Sequence, residues 1–153
     1  IITKRAKLRA MHLLSDMGRT ESQLRTKLKQ GGYPDEAVEE AIRYVKSFGY
    51  INDAEYVRSF IDSRKEKKSK KEIYAALKQK GVDSDIIEQV FEEMDYGEED
   101  SRQAIEALMR KRNYNPDSAD LKEKQKLMGY LMRKGFRYED VNSVLNSADS
   151  DIW

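Results

Sequence analysis

A chain of 153 residues with 29 Lys and Arg against 28 Asp and Glu, 39% hydrophobic residues and no cysteine can bury a core, but not a thick one. A thin, elongated helical assembly fits this balance better than a compact globule. Without cysteine there is no disulfide framework or thiolate metal site, and no apolar run is long enough to span a bilayer or serve as a signal segment.

Two prolines and eight glycines against abundant Ala, Leu, Lys, Glu and Arg favour helices, and no sheet is expected. The missing cysteines are compatible with a reducing cytosol, and a cytoplasmic location is expected. The chain opens on Ile1-Ile2 without a methionine and so reads as a fragment or a processed product.

A first helix is expected over 3–17, with Leu8, Met11, His12, Leu14 and Ser15 on one face and Gly18 as its end. Thr20, with Gln23 three residues on, caps a second helix whose stripe is Leu24 and Leu28, ending at Gly31-Gly32-Tyr33. Pro34 opens a third helix carrying Ala37, Val38, Ala41, Ile42 and Val45. After Phe48-Gly49, Asn52 and Glu55 form a capping box for a helix carrying Tyr56, Val57, Phe60 and Ile61, with Arg64 at the far end of the stripe. Tyr50, Tyr56 and Phe60 read as core residues.

Adding 49 to the first pattern turns Leu24, Leu28, Gly32 and Tyr33 into Ile73, Leu77, Gly81 and Val82; a further 54 gives Leu127, Leu131, Gly135 and Phe136. The third-helix set recurs as Ile86, Ile87, Val90, Phe91 and Met94, then as Asp140, Val141, Val144, Leu145 and Ala148. This is an internal repeat of three helices in three copies, divided at 1–49, 50–96 and 97–153. Each glycine can take the left-handed conformation and let the next apolar residue fold back on the last turn. Between the second and third copies, acids at 95–100 start a helix carrying Ala104, Ile105, Leu108 and Met109. The Asn113–Ser118 stretch is a breaker-rich loop and, with 95–98, a hinge candidate. The polar tail 147–153 is expected to fray.

Charge is sorted along this framework. Residues 64–71 sum to +5 and 83–101 carry nine acids with no Lys or Arg. The second helices are basic and the third helices acidic in every copy, which builds two surfaces of opposite sign if the copies stack in one orientation. The central cluster Arg64, Lys65, Lys67, Lys68, Lys70 and Lys71 is either a solvated junction or a binding surface; the recurrence of basic second helices favours the surface. Lys4 and Arg5 at the start of the first helix, and Arg110, Lys111 and Arg112, are further candidates. Lys and Arg neutralise phosphates or acidic protein patches, so binding should be salt-dependent. His12 is the only histidine and has no partners for a metal site. There is no Gly-rich phosphate loop and no nucleophile with triad partners, so an enzyme, a cofactor and a small-molecule substrate are not expected. A helix-turn-helix regulator is the alternative in another class, but its groove-reading helix would be the acidic one, which phosphates repel. A general helical-repeat scaffold is a third reading.

Gly49-Tyr50-Ile51-Asn52-Asp53 followed by Tyr56, Phe60 and Arg64 resembles the glycine-aromatic-aliphatic-Asp-Asp signature of the RecX family, bacterial regulators of the RecA recombinase. The three Leu-to-Gly segments are similar to that family's triple repeat. Asn52 stands where the family has Asp, and Lys67-Lys68-Ser69 where members often carry a glycine. The resemblance covers essentially the whole chain. It implies an all-α, curved molecule of tandem three-helix repeats that binds within the groove of the RecA filament on DNA and modulates strand exchange and the SOS response, without catalysis. The DNA contact should be weak and non-specific, and no membrane is implied.

Overall fold

The computed structural model describes residues 1–150, with side chains described through 146. Among the described residues there are nine helices and no strand: α1 (Ile2–Asp16), α2 (Glu21–Gln30), α3 (Asp35–Ser47), α4 (Asp53–Arg64), α5 (Lys70–Gln79), α6 (Ser84–Glu93), α7 (Glu98–Lys111), α8 (Leu121–Arg133) and α9 (Tyr138–Ser150). They fall into two compact units. The first is Ile1–Ser59 with Ala76–Val90; the second is Phe60–Ala75 with the described residues from Phe91 onward.

The helix ends follow from local chemistry. Gly32, Gly81 and Gly135 have φ of 89°, 84° and 102°, a region that costs an L side chain but not glycine. The amides of Tyr33, Val82 and Phe136 then reach back to the carbonyls of Leu28, Leu77 and Leu131 at 3.3, 3.2 and 3.2 Å. This is the Schellman closure expected of the repeat, and all three leucines are fully buried. Thr20 accepts from the Gln23 amide at 3.1 Å while Gln23 Oε1 accepts from the Thr20 amide, completing a capping box.

In the first unit the core joins Ala6, Ala10 and Leu13 of α1 to Leu24 and Leu28 of α2 and Ala37, Val38, Ala41, Ile42 and Val45 of α3. The face expected for α1 is therefore corrected. Leu8 is 59% exposed, and Met11 and His12 are exposed too. The small residues face inward because α1 packs closely against α3, and Ala6 and Ala10 share the buried cluster with Ala37 and Ala41; larger side chains there would hold the two backbones apart. Pro34 lies one position earlier than expected, as the N-cap of α3. Tyr50 is also corrected: it is 54% exposed, its ring stacked 5.7 Å from Phe48. Phe60 is buried and Tyr56 half-buried.

The capping box expected for α4 is corrected to a single cap: Asn52 Oδ1 accepts from the Glu55 amide at 3.2 Å, but the Glu55 carboxylate pairs with Arg58, one turn on, instead of reaching back to Asn52. The next residue, Asp53, serves a different helix: its Oδ1 accepts from the Glu21 amide in the first turn of α2 at 2.9 Å. One short motif thus closes two helix starts.

In the second unit Ala104, Ile105, Leu108 and Met109 of α7 pack with Leu127 and Leu131 of α8 and Phe136, Val141, Val144 and Leu145. Asp140, the polar misfit in the repeat, pairs with Arg137 at 3.3 Å. The side chain of Ala148 and residues 151–153 of the tail lie outside the described residues. Among the described residues no helix is long and apolar enough to cross a membrane, and no cluster of three His, Cys, Asp or Glu forms a metal site.

Candidate nucleic-acid interface

The central lysines straddle one buried hydroxyl. Ser69 is 1% exposed, its Oγ accepting from the Glu72 amide at 3.1 Å to cap α5 and donating to the Lys134 carbonyl at 2.6 Å. The second bond holds the start of α5 against the end of α8, where Gly135 leaves room: a Cβ there would lie 2.8 Å from Ser69 Oγ and 3.0 Å from Lys71 Cβ. The same joint occurs in the first unit. Thr20, also fully buried, donates to the Lys80 carbonyl at 2.7 Å, beside Gly81.

On one side of the Ser69–Lys134 bond, Lys67, Lys68, Lys111 and Lys134 surround a hollow of about 360 Å³ whose wall includes Tyr130, Leu108 and Glu72. Two further contacts dress the aromatic ring: the Arg112 guanidinium lies 4.1 Å, and the Lys134 ammonium 5.7 Å, from the Tyr130 centroid. Glu72 offsets part of the charge, with one oxygen 3.9 Å from Lys68 Nζ and the other buried. Among the described residues, four ammonium groups against one carboxylate leave the hollow strongly cationic. Flexible cations around an aromatic ring are chemistry suited to phosphates and an unpaired base.

On the other side, Lys70 and Lys71 line a second hollow of about 480 Å³ with Tyr74, Tyr96, Arg137, Glu98 and Asp140. Lys70 also lies 5.1 Å from the Phe91 ring. Among the described residues three cations face two acids there, and Arg137 is paired with Asp140, so the smaller hollow is the more attractive one for phosphate.

The family models for the first, second and third three-helix domains of RecX match residues 6–44, 52–90 and 98–145. The chain belongs to the RecX family. The regulatory protein RecX of Caldanaerobacter subterraneus subsp. tengcongensis is 35% identical over 147 residues, which cover 95% of this chain and 72% of that protein. Its counterparts in Clostridium botulinum (strain Alaska E43 / Type E3) and Mycobacterium avium (strain 104) are 30% and 31% identical, and the chain spans 62% and 78% of their lengths. The crystal structure of RecX from Lactobacillus salivarius superposes with a TM-score of 0.80 at 22% identity over 97% of each chain, showing the shared fold. A second crystal structure, of a regulatory protein RecX, gives 0.81 at 25% identity, covering 94% of this chain and 72% of the other.

For this RecX-family chain, the structure brings together candidates that lie far apart in sequence: Lys67 and Lys68 join Lys111, with Arg112 over the neighbouring ring. It parts Lys70 and Lys71 from them. Arg64 is turned onto the Phe60 ring, 3.7 Å from its centroid, and Lys65 lies 3.7 Å from Asp62. Arg110 is exposed on α7, and Lys4 and Arg5 are exposed on α1 in the first unit. Sequence reasoning missed Lys134 and Tyr130. Their signal was present, because they are four residues apart on a helix and so share a face, at the end of a segment already recognised as basic.

Proposed function

We propose that this chain is a regulator that binds the RecA filament on DNA and modulates, in the inhibitory direction, its ATP hydrolysis, strand exchange and induction of the SOS response. It acts by binding, with no reaction of its own, in the cytoplasm, through repeats divided at 1–49, 50–96 and 97–153. Membership of the RecX family supports the regulatory role. The observation that carries the nucleic-acid part is the convergence of Lys67, Lys68, Lys111 and Lys134 around Tyr130. Such a site neutralises phosphates without reading base edges, which suits weak and non-specific DNA binding. Arg64, Lys65, Lys70 and Lys71, with the basic start of α1 and Arg110, extend the contact to DNA or to acidic protein surface. Many weak contacts along one filament then act together.

The test is ATP hydrolysis by RecA assembled on single-stranded DNA. The chain should lower the rate, and reversing Lys67, Lys68, Lys70 and Lys71 to Glu should weaken that effect while leaving helicity and melting temperature nearly intact, because exposed charges contribute little to stability. No change in RecA activity on adding the chain would overturn the reading. Equal potency of the reversed variant would move the contact surface elsewhere.

A further inference from the structure

We infer that the first unit holds a second phosphate seat, lined by Arg19, Lys27 and Lys80, which takes the backbone of single-stranded nucleic acid. The inference rests on the nucleic-acid reading above and adds a site to it. The repeat relation identifies the place. A shift of 49 carries Arg19 and Gln23 onto Lys68 and Glu72, and a shift of 54 carries Lys80 onto Lys134. The two hollows are therefore built at equivalent joints, one beside the Thr20 bond to the Lys80 carbonyl, the other beside the Ser69 bond to the Lys134 carbonyl. Gly81 fixes the close approach in the first unit, since a Cβ there would lie 2.2 Å from Ser22 Oγ. The resulting hollow is about 290 Å³, ample for a phosphodiester group.

The two sites differ in ways that define the ligand. Where Glu72 puts a carboxylate into the first hollow, Gln23 puts a neutral amide whose oxygen is held by the Thr20 N–H at 3.1 Å, so that its NH₂ is the polar end left to donate. Arg19 donates through Nε to the Leu13 carbonyl at 3.4 Å, which orients the guanidinium, and Ser22 and Thr26 add hydroxyls. Among the described residues no carboxylate and no aromatic residue lines this hollow, and Ala76 occupies the position equivalent to Tyr130. The chemistry fits a phosphate anion and offers nothing for a base to stack on, unlike the Tyr130 site. A phosphodiester backbone is thus held at both joints, with a base engaged at one.

The experiment measures binding of the full chain to single-stranded oligo-dT by fluorescence anisotropy across a salt series. Each phosphate contact adds about 0.7 to the slope of log affinity against log salt. The triple variant Arg19→Gln, Lys27→Gln, Lys80→Gln should lower that slope by about 2. Lys27→Glu, a single change at an exposed position of α2, should lower it by at least about 0.7 with helicity unchanged, which covers the case of a triple variant that misfolds. If the parent binds and Lys67→Gln, Lys68→Gln, Lys111→Gln flattens the slope while Lys27→Glu and a folded triple variant keep it, the second seat is wrong and the first stands. Failure of the parent to bind oligo-dT would overturn both.

Discussion

Replacing Ser69 separates the two tasks its hydroxyl performs. As an acceptor it caps α5 through the Glu72 amide, and as a donor it satisfies the Lys134 carbonyl, 65 positions away in sequence. Ser69→Ala loses both: about 1 kcal/mol for the cap, and about 1 to 2 kcal/mol for a carbonyl left facing a buried, unpaired site. The total should be about 2 to 3 kcal/mol. Ser69→Gly caps within a few tenths of a kcal/mol of serine, so its cost of about 1 to 2 kcal/mol reports the tertiary bond alone. Urea unfolding followed by circular dichroism reads both values, with an unchanged dependence on urea expected because the exposed surface is the same. If Ser69→Ala matched the parent, or Ser69→Gly were as damaging as Ser69→Ala, the Lys134 bond would not be holding the joint.

Gly81→Ala should cost about 2 to 4 kcal/mol, from the left-handed backbone and the overlap with Ser22. Gly32→Ala, with φ of 89° but nothing within 4 Å of the added carbon, should cost only the backbone part of about 1 to 2 kcal/mol, and comparing the two melting temperatures tests the close approach. Leu77→Ala should destabilise by about 2 to 5 kcal/mol in urea titrations, because the side chain is fully buried. Burial raises the Asp53 pKa above its ordinary 3.8, against the smaller lowering by the Glu21 N–H, so the folded state favours the protonated form. Its stabilising share is therefore present at low pH and fades as pH rises through the raised value. Asp53→Asn keeps an oxygen for the Glu21 amide and should be at least as stable as the parent at neutral pH, with the difference shrinking toward about pH 4; urea midpoints across pH would show a constant gap if the carboxyl were not desolvated.

Determined by the sequence alone were the helices, the Thr20 and Asn52 caps and the three leucine-to-glycine ends, because each depends on neighbours within a few residues: apolar spacing, an oxygen at the N-cap, and a residue able to take positive φ. The Asn113–Ser118 loop was legible for the same reason. The orientation of α1 was not, since Leu8, Met11 and His12 make as good a stripe as Ala6, Ala10 and Leu13, and only the close packing with α3 selects the smaller set. Nor was the division of the lysine cluster. A run of charge in a sequence has no sides, and it acquired them when Ser69 was buried against the carbonyl of Lys134, turning Lys67 and Lys68 toward Tyr130 and Lys111 and Lys70 and Lys71 toward Tyr96 and Arg137. Local periodicity offers the faces a helix can bury, but which face is taken and which charges meet depend on packing and backbone bonds between distant segments, and those exist only in the folded chain.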